Sequence, residues 1–328
     1  MTDNKAIEEL NRQGVQLHVA GRLDEAENLY QEALELDARN ATTHNNLGFL
    51  LAQTNRLDRA LEHLYTAVEL DPLLANAQAN LGQVLALKKQ AYTALQHLIR
   101  ATDLQPGNQH NWHNLAQVRM QLDDFTGAVS ALQQATQLAP DNVLLYKELA
   151  KAHSLNGEHD RAVALYRELL ERNPDDLDVL TALGISLFMQ EHYEQARDAL
   201  RHAVQIDPQN GPALRHLALT LASDGQPEGA ISTFEALLNG QPDDSESRLD
   251  LAVLLVSQGR NKDALEQLQS LPPSYSHGGR ATFYRAMTMI ETDRAQALAQ
   301  LEMLADSDDT YARRAREQLE EVRKEAAG

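Results

Sequence analysis

An all-α solenoid of stacked helix–turn–helix hairpins is the fold this sequence predicts, and three observations predict it. Windows reading NLG or NLA begin at Asn46, Asn80 and Asn114, so the chain repeats every 34 residues. In the same frame a small residue stands at Gly14, Gly48, Gly82, Ala116, Ala150, Gly184, Ala218 and Ala252, and an alanine follows twelve positions later, from Ala26 to Ala264. Proline closes most repeats, at Pro72, Pro106, Pro140, Pro174, Pro208 and Pro242.

Each feature has a physical use. Apolar residues recur three and four apart in two blocks per repeat, which makes two amphipathic helices. A small side chain on the first helix opposite alanine on the second lets the two backbones approach closely. Between the blocks Gly21, Gly157, Gly225 and Gly259 share one position, where a helix end favours left-handed backbone. Asp24, Asp58, Asp160, Glu194 and Glu228 fall at the start of the second helix, where negative charge suits the helix dipole. Proline, with no N–H to donate, ends that helix and turns the chain onward.

Taken in order, eight such repeats run over residues 7–276. The stretch LPPSYSHGG, Leu271 to Gly279, reads as an irregular connection. Residues 279–308 form a degenerate ninth repeat: Ala286 keeps the small position, but Ala297 follows after eleven residues. Residues 310–326 are helical and highly charged, as a helix capping the last apolar face would be.

Composition narrows the function. The 328 residues contain no cysteine, so disulfides, thiolate metal sites and cysteine nucleophiles are excluded. A formal charge of −19 repels phosphate backbones and argues against nucleic acid as a partner. The opening MTDNKAIEELNRQG lacks the apolar core of a signal peptide, and apolar runs such as Leu251–Val256 are too short to cross a bilayer. The expectation is a cytoplasmic protein without membrane contact.

A 34-residue helix–turn–helix with Trp112, Leu47-Gly48, Tyr30, Ala26, Ala33 and Pro72 at its marker positions resembles the tetratricopeptide repeat family. The resemblance implies a right-handed superhelical solenoid whose concave wall, built from the first helix of each repeat, receives a segment of another protein. Carried onto this frame, it places Asn45, Asn46, Asn76, Asn80 and Gln83 on that wall. His110, His113, Asn114 and Gln117 follow, then Lys147 and Lys151, and Ile185 and Phe188 further along. The row of Asn46, Asn80 and Asn114 resembles the asparagine ladder in the repeat domain of O-linked N-acetylglucosamine transferase, without that enzyme's catalytic domain. An amide has a donor and an acceptor, as a peptide unit has, so the row is expected to hold an extended chain by its backbone. A carboxylate of the ligand would meet Lys147 and Lys151. The two-carboxylate clamp of chaperone-binding repeats is absent, since only Asn46 matches in the first three repeats.

No glycine-rich phosphate loop, HExxH or GxSxG occurs, so no catalytic residue and no cofactor are expected. His110 and His113 lie on one helix face but lack further ligands in frame, and no metal site is expected. His63 and His97 are expected on the outer surface, and Trp112 in packing. The function expected is a non-catalytic adaptor that binds a peptide segment of a partner. The alternative is a scaffold that self-associates, or docks through its convex or C-terminal surface.

Overall fold

The computed structural model describes residues 2–276 and 278–327, and the only regular elements among them are helices. Contacts divide the chain into two bodies, Met1–Leu165 and Tyr166–Gly328. The first contains α1 (Thr2–Val19), α2 (Leu23–Leu36), α3 (Ala41–Gln53), α4 (Leu57–Leu70), α5 (Ala75–Leu87), α6 (Ala91–Leu104), α7 (Gln109–Gln121), α8 (Phe125–Leu138) and α9 (Val143–Leu155). The division falls within α10 (His159–Arg172).

In the first body α1 packs on α2, α3 on α4, α5 on α6 and α7 on α8. Successive first helices also touch, α1 with α3, α3 with α5 and α5 with α7, and so share one wall. The alanines at 26, 60, 94 and 128 are fully buried at the helix crossings. Tyr30, Leu64 and Leu98, one turn further on, are fully buried too, each leucine contributing about 1.5–3 kcal/mol. Gly48 shows why its position must be small. A Cβ there would lie 2.6 Å from Leu64 Cγ and 3.2 Å from the Ala60 carbonyl oxygen. The small residue therefore accommodates the leucine one turn beyond the alanine as well as the alanine's backbone.

The hairpin turns are more uniform than the sequence implies. Gly21 and Gly157 adopt φ of 75° and 77°, and Gly225 and Gly259 adopt 71° and 70°. The same position in the other four repeats is equally left-handed, with Asn55 at 59°, Lys89 at 61°, Asp123 at 57° and Glu191 at 60°. The hairpin geometry imposes the conformation whether or not glycine is present. A second recurring device starts the first helices: Asn40, Asn108, Asn142, Asp176, Asn210 and Asp244 each accept a backbone N–H from the following turn, a cap worth about 1 kcal/mol.

The second body contains α11 (Leu177–Met189), α12 (Tyr193–Ile206), α13 (Gly211–Ser223), α14 (Pro227–Gly240), α15 (Ser245–Ser257) and α16 (Asn261–Gln269). Then come α17 (Pro273–Ser276), α18 (Gly279–Met289), α19 (Arg294–Ala305) and α20 (Ala312–Ala327). Pairs α11–α12, α13–α14, α15–α16 and α18–α19 repeat the hairpin, and α20 packs on α19. Part of the expected irregular connection is thus one helical turn, α17; His277 lies outside the described residues. The α18–α19 turn passes through Ile290 in right-handed backbone, so the missing residue between Ala286 and Ala297 is accompanied by loss of the left-handed position.

The first and last described helices differ from the repeating ones in what they bury. On α1, Glu9, Gln13 and Gln16 are exposed at the positions where α3 buries Thr43, Leu47 and Leu50. At the other end Ala315, Leu319 and Val322 of α20 are buried, the first two in a cluster with Leu301 and Leu304. No described helix is long and apolar enough to cross a membrane.

Candidate functional site

The shared wall of the first body carries a groove of about 770 Å³. Asn45, Asn46, Asn76, Asn80, Gln83, His110 and Asn114, all expected on the wall, line it. Val15, His18, Val19, Phe49 and Gln53 complete one end, and Asn108 and Asn111 the other. The α1 end is the more apolar one. There the Phe49 ring sits 5.4 Å from that of His18, whose Nε2 lies 2.6 Å from Gln53 Oε1. Tyr30 forms part of the floor. Its hydroxyl is buried without a hydrogen-bond partner among the described residues, and burial pushes its pKa up to about 12.

The asparagine row has a structural role that the frame alone did not reveal. Asn80 Nδ2 donates to Asn45 Oδ1 at 2.8 Å, Asn45 Nδ2 to Asn46 Oδ1 at 3.2 Å and Asn46 Nδ2 to Asn11 Oδ1 at 3.2 Å. Asn11 in turn donates to Thr43 Oγ1 at 2.7 Å. The Asn80–Asn45 and Asn46–Asn11 links run between neighbouring first helices, with partners 35 residues apart. The same offset joins His113 Nε2 to Glu148 Oε2 at 2.6 Å, and in the second body Arg215 to Asp250 at 2.7 Å. At Asn46, Asn80, Glu148 and Asp250 this frame position therefore ties a repeat to the one before.

These links leave part of the amide capacity unused. Each side-chain amide has two N–H donors and an oxygen with two lone pairs. Asn45 is buried with both ends engaged, whereas Asn80 has a second N–H and its oxygen still available. The side chains of Asn76, Gln83 and Asn114 make no hydrogen bond among the described residues. Those three, with Asn80, are the groups best able to pair with a ligand backbone.

The other expected residues are distributed differently. Gln117 and Lys151 line a separate cavity of about 360 Å³ with Met120 and Glu148. His113 lies beside it through its contact with Glu148 and is not a lining residue of the larger groove. Lys147 is half-buried on α9. Ile185 and Phe188 belong to the second body, half-buried on α11, with the Phe188 ring 5.8 Å from that of Tyr193.

The expectation for two histidines changes, and that for Trp112 gains a hydrogen bond. His63 and His97 are half-buried and link helices within a hairpin, so they are not free outer-surface groups. His44 Nε2 lies 3.1 Å from the Ala38 carbonyl and must carry its proton there; its Nδ1 then accepts from His63 Nδ1–H at 2.9 Å. His97 Nδ1 donates to Gln78 Oε1 at 2.7 Å. Burial lowers the pKa of both His63 and His97, and for His63 the neighbouring His44 and Arg59 add to it. Trp112 is partly buried against the core, as packing requires, and its Nε1 also donates to the Pro106 carbonyl at 2.7 Å. His44, Gln78 and Arg248, at the same position as Trp112, each reach the carbonyl six residues earlier in the same way.

No group of three or more histidine, aspartate or glutamate side chains suited to a metal ion occurs among the described residues.

Comparison with known proteins places the chain. The family model described as the cytochrome c-type biogenesis protein H TPR domain matches residues 98–202. General tetratricopeptide repeat models match 16–55, 41–72 and 221–281. No curated protein matches. Among solved structures, YrrB, titled a TPR protein with an unusual peptide-binding site, is 25% identical, with 56% of this chain and 95% of that one covered and a TM-score of 0.54. The C-terminal part of a TPR repeat-containing protein from Cytophaga hutchinsonii is 14% identical, covering 72% and 97%, at 0.57. A tetratricopeptide repeat protein from Parabacteroides merdae is 15% identical, covering 76% and 99%, at 0.51. The repeat frame, the hairpin architecture and these matches together support a tetratricopeptide repeat protein, of a fold that generally mediates protein–protein interaction.

Proposed function

We propose that this protein is a non-catalytic adaptor whose first body captures an extended peptide segment of a partner. The observation that carries this reading is the groove's wall of amides, of which Asn76, Gln83 and Asn114 have no partner side chain among the described residues. A peptide backbone offers the complementary donor and acceptor at each residue. Each such bond adds about 0.5–1.5 kcal/mol net, so a few of them register the chain while an apolar contact supplies much of the affinity. The likeness to YrrB, titled for its peptide-binding site, supports the same reading. Lys151, at the neighbouring cavity with Gln117, is placed to meet an acidic group where the ligand leaves the amide wall.

The test uses Gln83→Ala with Asn114→Ala, which remove ligand-facing amides without cutting a link between repeats. Capture of partners from the source cell, identified by mass spectrometry, should fall at least tenfold for this double variant at unchanged thermal stability. Undiminished capture rejects the groove. A second reading, docking through the outer helices, is favoured by Tyr65, Tyr92 and Ile99, which are exposed on α4 and α6. Light scattering that shows concentration-dependent association, abolished by Tyr92→Ser, would support it.

A further inference from the structure

Sixteen residues line the groove, and none is Lys, Arg, Asp or Glu. Charged residues make up 23% of the chain, so about four would be expected in a sample of that size. The lining instead holds seven asparagines and two glutamines. Resting on the peptide-binding reading above, we infer that the captured segment is uncharged along the groove and places one aliphatic or aromatic side chain at the α1 end.

Two physical arguments converge on this ligand class. A charged side chain seated against amides and apolar carbon gives up its hydration and meets no opposite charge in return. For an acidic segment, the chain's formal charge of −19 adds long-range repulsion. The apolar position follows from the groove's asymmetry. Val15 is 44% exposed and Val19 85% exposed, and with Phe49 they form an apolar shelf on α1 and α3. The contacts of His18 with the Phe49 ring and with Gln53 hold that shelf in place. Asn80, Gln83 and Asn114 lie on α5 and α7, so backbone pairing follows the anchored residue across successive repeats. The ligand is thereby oriented, with its apolar side chain at α1 and its neutral stretch towards α7.

The test is selection of a displayed random decapeptide library on the full chain, followed by fluorescence anisotropy with labelled synthetic copies of a selected peptide. Selected peptides should be depleted in Asp, Glu, Lys and Arg over a run of residues next to one large apolar residue. Replacing a central residue of that run by Lys or by Glu should each weaken binding at least tenfold, as should replacing the apolar residue by alanine. Val15→Asp, at an exposed position, should weaken the parent peptide and relieve the penalty of a basic residue at the anchor position. Selected peptides rich in charge, and lost on Gln83→Ala with Asn114→Ala, overturn this inference while leaving the groove as the binding site. No peptide selected above background, or peptides bound equally by that double variant, overturns the groove reading and this inference with it.

Discussion

Replacing Glu191 by glycine should stabilise the protein although it removes a side chain. Glu191 holds φ of 60° at a hairpin turn, where a residue with a Cβ incurs about 1–2 kcal/mol. Its side chain is exposed and makes no ion pair or hydrogen bond among the described residues, so truncation removes no contact. Glycine costs about 0.5–1 kcal/mol more backbone entropy on folding. The net gain is about 0.5–1 kcal/mol, a two- to fivefold increase in hydrogen-exchange protection of the α11 and α12 amides. Lys89→Gly should act alike in α5 and α6, and Asn55→Gly much less, because asparagine tolerates left-handed backbone. The reverse change, Gly157→Ala, should cost a similar amount, since a Cβ there has nothing within 4 Å and meets only backbone strain. A destabilised Glu191→Gly, or a Gly157→Ala with unaltered protection, would refute the view that the hairpin dictates the turn.

Other outcomes follow from the same contacts. Gly48→Val should cost about 1–3 kcal/mol by overpacking, read as a lower urea midpoint, because its Cβ collides with Leu64. Asp250→Ala should cost about 1.5–3 kcal/mol: the buried carboxylate accepts from both Arg215 and Arg280, and the figure is held down by partial exposure of the two guanidinium groups. Stability should fall as pH drops below about 6.5, the unfolded histidine value. His63, His97 and His216 have lowered pKa values, in each case chiefly through burial. The unfolded chain then binds more protons than the folded one just below that pH, so the stability present above it is lost. His63→Gln, which can still donate to His44, should flatten this slope in thermal melts run from pH 7.5 to 5.

The repeat frame was legible because its markers are single residue types with one use each. Alanine at 26, 60 and 94, glycine at 48 and 82, and proline after the second helix all announce themselves. Features satisfied by several residue types were not. The link from the first helix to the carbonyl six residues earlier is made by His44, Gln78, Trp112 and Arg248, which share only a side-chain N–H. The left-handed turn was legible at glycine and hidden at Lys89 and Glu191. The caps at Asn40, Asn108, Asn142 and Asp176 did recur in frame and could have been read. For the groove, the frame grouped asparagines that line one cavity, but it could not show which amides bond to one another, because those contacts join residues 35 positions apart. His113 and Lys151 share the same frame yet lie at a different cavity.

Side-chain amide spectroscopy tests the central claim most directly. Nitrogen-15 labelled protein, titrated with a peptide selected on the full chain, should show shifts of the Asn76, Asn80, Gln83 and Asn114 side-chain NH2 signals that saturate together. Asn4 and Gln209, outside the groove, should stay still. Shifts confined to residues of α4 and α6 around Tyr65 and Tyr92, with the groove amides unmoved, would contradict it.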